Sequence, residues 1–286
     1  MPRVAALYRH PVKGFTPELR TQLTIQRDGR VLGDRVLAFR FAEAASPEKR
    51  DGLDYWPKAR GLSLQDFPAL AALRLSYDEV TRRLDVSHAG SRIVEAGLDT
   101  EGRQHLVDAV TAFVLDSAQS TRLGRPGRLP LVLVGDGVHS RFQDRAQGYV
   151  SVHSEASVRA LADALASDGG ESLDIDSRRF RSNIVIEGLD AWDELAWQGR
   201  IRIGTLEFRA AAPIVRCLAT HANPDTGERD ARVLTTLTKR FGQQEPTLGR
   251  LLLPAALHEP MPAGTSLGTA VWGTVSVGDE VELLDE

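Results

Sequence analysis

The chain has 286 residues, with 35 Lys and Arg against 39 Asp and Glu, a formal net charge of −4. With 26% charged and 42% hydrophobic residues it has the composition of a folded globular protein, enough for one large domain or two ordinary ones, and disorder and collagen-like repeats are excluded. The acidic balance argues against a nucleic-acid partner. No run of 18 apolar residues and no signal-peptide pattern is present, so a cytoplasmic protein without a membrane anchor is expected.

In chain order, the first hundred residues read as strands. Arg3 to Tyr8 alternates around Val4, Ala6 and Tyr8 and stops at His10-Pro11. Gln22 to Gln26 and Val36 to Phe41 are rich in β-formers, with Asp28-Gly29 and Gly33-Asp34 as turns between them. Ala44 to Pro68 reads as a long excursion, and Leu73-Leu75-Tyr77 answered by Leu84 and Val86 reads as a hairpin. A helix is expected over Glu101 to Ser117, where Leu106, Val110, Phe113 and Val114 recur at helical spacing behind an N-cap at Thr100.

Gly124 to Arg128 is a linker-like break and divides the chain into expected domains 1–120 and 121–286. Beyond it come a strand at Leu129 to Val134, a loop from Gly135 to Gly148, and a strand at Tyr149 to Val152. A helix capped by Ser154 follows and ends near Gly169-Gly170. Strands resume at Asn183 to Ile186, Ile201 to Ile203 and Thr205 to Ala210, then a helix at Asp230 to Phe241. The tail is a strand, a Gly278-Asp279 turn and a strand. The order is not βαβα, so the fold expected is α+β, mostly β, and barrel-like.

Phosphate-loop, nucleophile-elbow and dinucleotide fingerprints are absent, and the seven histidines form no ligand pair at helical spacing. Cys217 is the sole cysteine, which rules out an internal disulfide, a Cys-based zinc site and an iron–sulfur cluster. It is either a packed, inert thiol or a single special one. Arg216 beside it bears on the choice, because a neighbouring cation favours the thiolate, which attacks electrophiles and binds soft metals. His10-Pro11-Val12-Lys13-Gly14 holds one of only four lysines, and Phe180-Arg181-Ser182-Asn183 precedes a strand. Arg, Lys and Asn donors converging from strand ends suit an anionic, hydrogen-bond-rich ligand. Asn223-Pro224-Asp225-Thr226-Gly227 reads as a turn, with a lid as the alternative.

Taken together these segments resemble the MOSC family, which contains the C-terminal domain of molybdenum cofactor sulfurase and the mitochondrial amidoxime-reducing component. The ordered matches are Tyr8 to Gly14, Gly33-Asp34-Arg35, Phe180 to Ile186, Arg216 to Thr220, Asn223 to Gly227 and Val277-Gly278-Asp279. The resemblance implies a MOSC β-barrel, related to the pyruvate-kinase β-barrel, preceded by a β-rich N-terminal MOSC domain, with Mo-molybdopterin held between them. It implies Cys217 as the catalytic thiolate and metal ligand, with Lys13, Gly14, Arg35, Gly148, Arg181, Asn183 and Arg216 binding the pterin and its phosphate. Pyridoxal phosphate binding enters as a family-level property only.

The function implied is that of an oxidoreductase acting on N-hydroxylated or N-oxide small molecules. With no flavin motif and no iron–sulfur ligand set, the electrons would come from a separate flavoprotein or an iron–sulfur or haem protein. The alternatives are a persulfide carrier acting through Cys217 and a non-catalytic cofactor carrier. The chain departs from its relatives where they place hydroxyls, at Gly14, Gly148 and Val215, and where some have tyrosine, at Leu251. Its segment from His258 to Trp272 is also longer than expected.

Overall fold

A computed structural model of the chain describes every residue except 51, 140–141, 146–147, 168–174, 256–269 and 285–286. The expected break at Gly169-Gly170 and most of the segment from His258 to Trp272 lie outside the described residues.

In the first half the strands are β1 (Arg3–Arg9), β2 (Glu18–Arg20), β3 (Gln22–Gln26), β4 (Ala38–Phe41), β5 (Glu48–Arg50), β6 (Leu53–Tyr55), β7 (Leu73–Asp78), β8 (Arg83–His88) and β9 (Ser91–Gly97). They lead into helices α1 (Thr100–Leu115) and α2 (Ser120–Leu123). Next come β10 (Leu131–Val134), β11 (Val150–Ser154), helix α3 (Glu155–Ser167), β12 (Ile184–Glu187) and helix α4 (Asp193–Ala196). The chain continues through β13 (Arg200–Ile203), β14 (Leu206–Val215), helix α5 (Val233–Arg240), β15 (Thr247–Pro254), β16 (Val271–Ser276) and β17 (Val281–Leu284). Strands dominate and the class is α+β, as expected.

The largest sheet runs β17-β13-β14-β15-β11-β12-β1-β2. Every neighbour in it is antiparallel except the β11–β12 pair, which is parallel and joined through α3. Strand β1 sits inside it, with Leu7 opposite Ile184 on one side and Arg20 on the other. Among the described residues no ladder closes this sheet into the expected barrel. The segments at the start of β17 and at the start of β1 approach through one bridge, Arg3 to Glu280, and three backbone bonds: Val4 N–H to Asp279 and Val281 N–H to Pro2, each 2.9 Å, and Gly278 N–H to Val4 at 2.8 Å. The tail is likewise not a hairpin: β16 pairs with β3 and β17 with β13, so the Gly278 turn links strands of different sheets.

Two main cores flank the site. One is built on Phe15, Phe39, Leu70, Leu84, Leu106 and Val114 under the β7-β8-β9 meander and α1, and the other on Leu7, Ile25, Val152, Ile184, Ile201, Phe208 and Leu252 inside the large sheet. Burying a Leu or Ile side chain in such a core contributes about 1.5–3 kcal/mol. The cap of α1 is Asp99 and not Thr100; the Asp99 carboxylate accepts from Gly102 N–H at 2.8 Å. Ser154 caps α3 as expected, its hydroxyl accepting from Ala156 N–H at 3.1 Å. The excursion from Ala44 to Pro68 includes the β5–β6 hairpin.

Candidate functional site

Strand ends from both halves of the chain converge on a cleft of about 250 Å³. From the first half it receives Lys13, Gly14 and Arg35, and from the second Arg181, Asn183, Val215, Arg216, Cys217 and Leu251. Of the residues expected at the site, only Gly148 is missing from the wall. It packs instead against the Asp28–Arg30 turn, where a Cβ on it would lie 2.5 Å from Arg30 Cγ and 2.8 Å from the Asp28 carbonyl.

Cys217 reaches the cleft because β14 ends at Val215 and the chain turns there. Arg216 N–H donates to the Pro246 carbonyl at 2.8 Å, and the short 3-10 turn Leu218–His221 starts directly after the cysteine. That turn hangs on the Cys217 carbonyl, which accepts from Thr220 through its N–H and its hydroxyl, each at 3.0 Å. Cys217 is half-buried, flanked by exposed Val215 and Leu218. Arg216 points inward. It donates to the carbonyls of Leu248 at 2.7 Å and Phe180 at 2.6 Å, and its Nη2 is buried without a partner. Burial pulls its pKa down to about 9.

Arg35 and Arg181 both sit in the left-handed region, each at φ 54°, where a non-glycine residue costs of order 1–3 kcal/mol. They are coupled: Arg35 Nη2 donates to the Arg181 carbonyl at 3.2 Å, and Arg181 Nη1 donates to the Phe15 carbonyl. Burial and then the Arg35 charge bring Arg181 down to about 10. Gly14 adopts φ +83°, and a Cβ there would stand 3.0 Å from the Leu62 carbonyl, so the position needs glycine.

Two expected ligand-binding side chains already have partners. The Lys13 ammonium donates to the Phe142 carbonyl at 2.8 Å and to Asp144 at 2.7 Å, and burial pulls its pKa down. The Asn183 amide donates to the Tyr8 carbonyl at 3.2 Å and to Asp34 at 3.3 Å, while its oxygen accepts from the Ser151 hydroxyl at 2.8 Å. Asn183 thus ties β1, β11 and β12 together at the cleft floor.

Sequence reasoning missed Ser63, Tyr149, Ser151 and Thr220, which bring hydroxyls to the wall, and Lys58, Arg145 and Arg179, which bring charge. Four hydroxyls thus reach the wall from positions that no motif spacing marks. Among the described residues the wall carries seven basic side chains and one carboxylate, Asp144. The buried Ser63 hydroxyl and Arg179 Nε also have no partner. An excess of cations with orphaned donors is suited to an anion. The Asn223 to Gly227 segment is a pinned turn: the Asn223 side chain accepts from Asp225 N–H at 2.8 Å, and Arg74 and Arg178 hold the Asp225 carboxylate.

A mostly β protein with one thiol in a cationic cleft is the class that fold and site define. A MOSC domain model matches residues 135–282, just over half of the chain, and the chain belongs to that family. Human mitochondrial amidoxime-reducing component 1 is 30% identical over 128 residues, 44% of this chain and 36% of that protein. Molybdenum cofactor sulfurase of Drosophila pseudoobscura pseudoobscura is 39% identical over 78 residues, 25% of this chain and 10% of that protein. The human sulfurase is 34% identical over 95 residues, 33% of this chain and 10% of that protein. The chain thus matches well under half the length of these relatives. Among solved structures, the YuaD protein from Bacillus subtilis aligns over 98% of this chain and 94% of its own, at 10% identity and a TM-score of 0.35.

Proposed function

We propose that the chain binds Mo-molybdopterin in this cleft and reduces N-hydroxylated or N-oxide small molecules with electrons from a separate protein. Family membership and the named relatives support a function connected with the molybdenum cofactor. The observation that carries the reading is the placement of the sole cysteine at the rim of a cleft lined by seven cations and one carboxylate.

The residues fit such a group. Among the described residues no three His, Cys, Asp or Glu side chains gather as a metal site, and Cys217 would be the protein's ligand, its thiolate a strongly donating sulfur. Arg35, Arg181 and Arg216 would meet the anionic part, the last through its unpartnered Nη2. The bound group would supply two-electron reduction of an N–O bond. The chain's own part is orientation and water exclusion, with Val215 and Leu251 forming an apolar wall near Cys217. The division into domains 1–120 and 121–286 belongs to the same proposal, the cleft lying where the two meet. No helix among the described residues is long and apolar enough to cross a membrane.

The test is turnover. Molybdenum-loaded protein, reduced chemically, is expected to convert benzamidoxime to benzamidine, and Cys217→Ser to lose the activity; a loaded sample without turnover on N-oxygenated substrates contradicts the reductase reading. The half-exposed thiol also suits a persulfide carrier. That reading predicts a one-sulfur mass increase on Cys217 after incubation with a cysteine desulfurase, and an unchanged mass contradicts it.

A further inference from the structure

Arg35, the first of the two left-handed arginines, is joined to a buried carboxylate. Asp34 is 2% exposed, and its two oxygens serve three chain segments. Oδ1 accepts from His10 N–H at 2.7 Å, at the end of β1, and from Asn183 Nδ2 at 3.3 Å, before β12. Oδ2 accepts from Arg35 Nη1. Arg35 in turn spends its Nη2 on the Arg181 carbonyl at 3.2 Å. One buried carboxylate therefore fixes the direction of Arg35, and through it the neighbouring arginine.

The turn that carries Asp34 is built for this purpose. Gly33 takes φ +72°, a Cβ there would lie 2.7 Å from Arg9 Nη1, and Asp34 N–H closes the turn onto the Val31 carbonyl at 3.1 Å. Burial pushes the Asp34 carboxyl up, but the Arg35 and His10 interactions outweigh it and hold the group well below the usual carboxylate range. His10 is fully buried, with Nδ1 3.5 Å from Asp34 Oδ1. Burial, then the Arg35 and Arg181 charges, bring it down to about 3, so at neutral pH it is uncharged and Arg35 is the cation paired with Asp34.

We propose that Asp34 is a positioning residue for the anion-binding end of the cleft, acting through Arg35 and not by touching the ligand. The inference rests on the reading of the cleft as an anion site. Its consequence has an unusual sign. Deleting a negative charge close to an anion site should tighten anion binding if the charge acts only through space. Losing the hydrogen bond that aims Arg35 should weaken it, by about tenfold for one charge-assisted bond.

The experiment titrates inorganic pyrophosphate into the cofactor-free 286-residue chain by calorimetry, for the wild type, Asp34→Asn, Arg35→Gln and the double variant. Asp34→Glu, which keeps the charge and misplaces it, serves as a second probe should Asp34→Asn not fold. The expected result is about tenfold weaker binding for Asp34→Asn and a smaller loss of the same sign for Asp34→Glu, and neither weakens binding further when each is combined with Arg35→Gln. Equal or tighter binding for Asp34→Asn, or an equal loss in both backgrounds, overturns the positioning role and leaves the anion site standing. A wild type that does not bind pyrophosphate overturns both.

Discussion

At the scale of single residues, the site joins buried and half-buried cations to exposed charges at Asp144 and Arg145. Arg216 is buried and Arg181 half-buried, their pKa values drawn down to about 9 and about 10, and Arg35 and Arg181 both stay in the left-handed region with their guanidinium groups in one cleft. Strain of this kind persists only where the surroundings impose it. The same burial leaves a signature in stability. Burial, joined by nearby arginines, brings His10 and His153 each down to about 3, against 6.5 in the unfolded chain, and His221 shifts in the same direction. Between those limits the unfolded state binds the extra protons, so stability falls as the pH drops below about 6.5. From pH 7 to 5 the loss is roughly 2 kcal/mol for each of the two buried histidines. Urea unfolding at the two pH values should show it, and His153→Gln should remove about half. Stability flat across this window would mean that neither histidine is buried neutral. Of the site itself, Cys217, Lys13, Arg181 and Arg216 were legible as residues, because a lone thiol and cations in short unusual segments stand out in a sequence, while Arg35 came only with the family resemblance. Asp34, Ser63, Ser151 and Asp144 were not, since their roles exist only once distant strands meet.

At the scale of elements, local pattern served well where a segment is stabilised locally. The hairpin over Leu73 to Val86 and the helices starting near 100, 155 and 233 are present, because apolar periodicity and caps act within one segment. Strand pairing was not legible. The tail strands face β3 and β13, and β15 went unrecognised although it lies between β14 and β11 at the middle of the large sheet. Its half-buried alternation reflects partners far away in sequence. Helix α1 offers a test of close packing against propensity. Gly102 lies in its first turn, and a Cβ there would sit 2.3 Å from the Gly97 carbonyl oxygen. Alanine is the better helix former by about 1 kcal/mol, yet Gly102→Ala is expected to destabilise the protein, by about 1–3 kcal/mol, as the helix is forced off β9. A rise in the thermal midpoint would show that the helix moves freely.

At the scale of the whole molecule, a net charge of −4 conceals a strongly cationic cleft, so the overall balance says little about the ligand. Strand pairs also cross the proposed division at residue 120. Strand β1 is paired on both sides inside the large sheet, β3 pairs with β16, and β4 with β10. A fragment of residues 121–286 would expose the β12 edge and lose Leu7 and Ile25 from the core. It is expected to be insoluble alone and to be rescued by co-expression with residues 1–120. A fragment that folds by itself, with the circular dichroism of the native strands, would show that the first strands are dispensable.

The central claim is that Cys217 and the surrounding cations hold a molybdenum-bearing pterin. The direct measurement is the molybdenum and pterin content of the wild type and of Cys217→Ser, both purified from a host that makes the cofactor, by elemental analysis and oxidised-pterin fluorescence. The account predicts near-stoichiometric metal and pterin in the wild type and loss of the metal in the variant. A well-folded wild type carrying neither would contradict it.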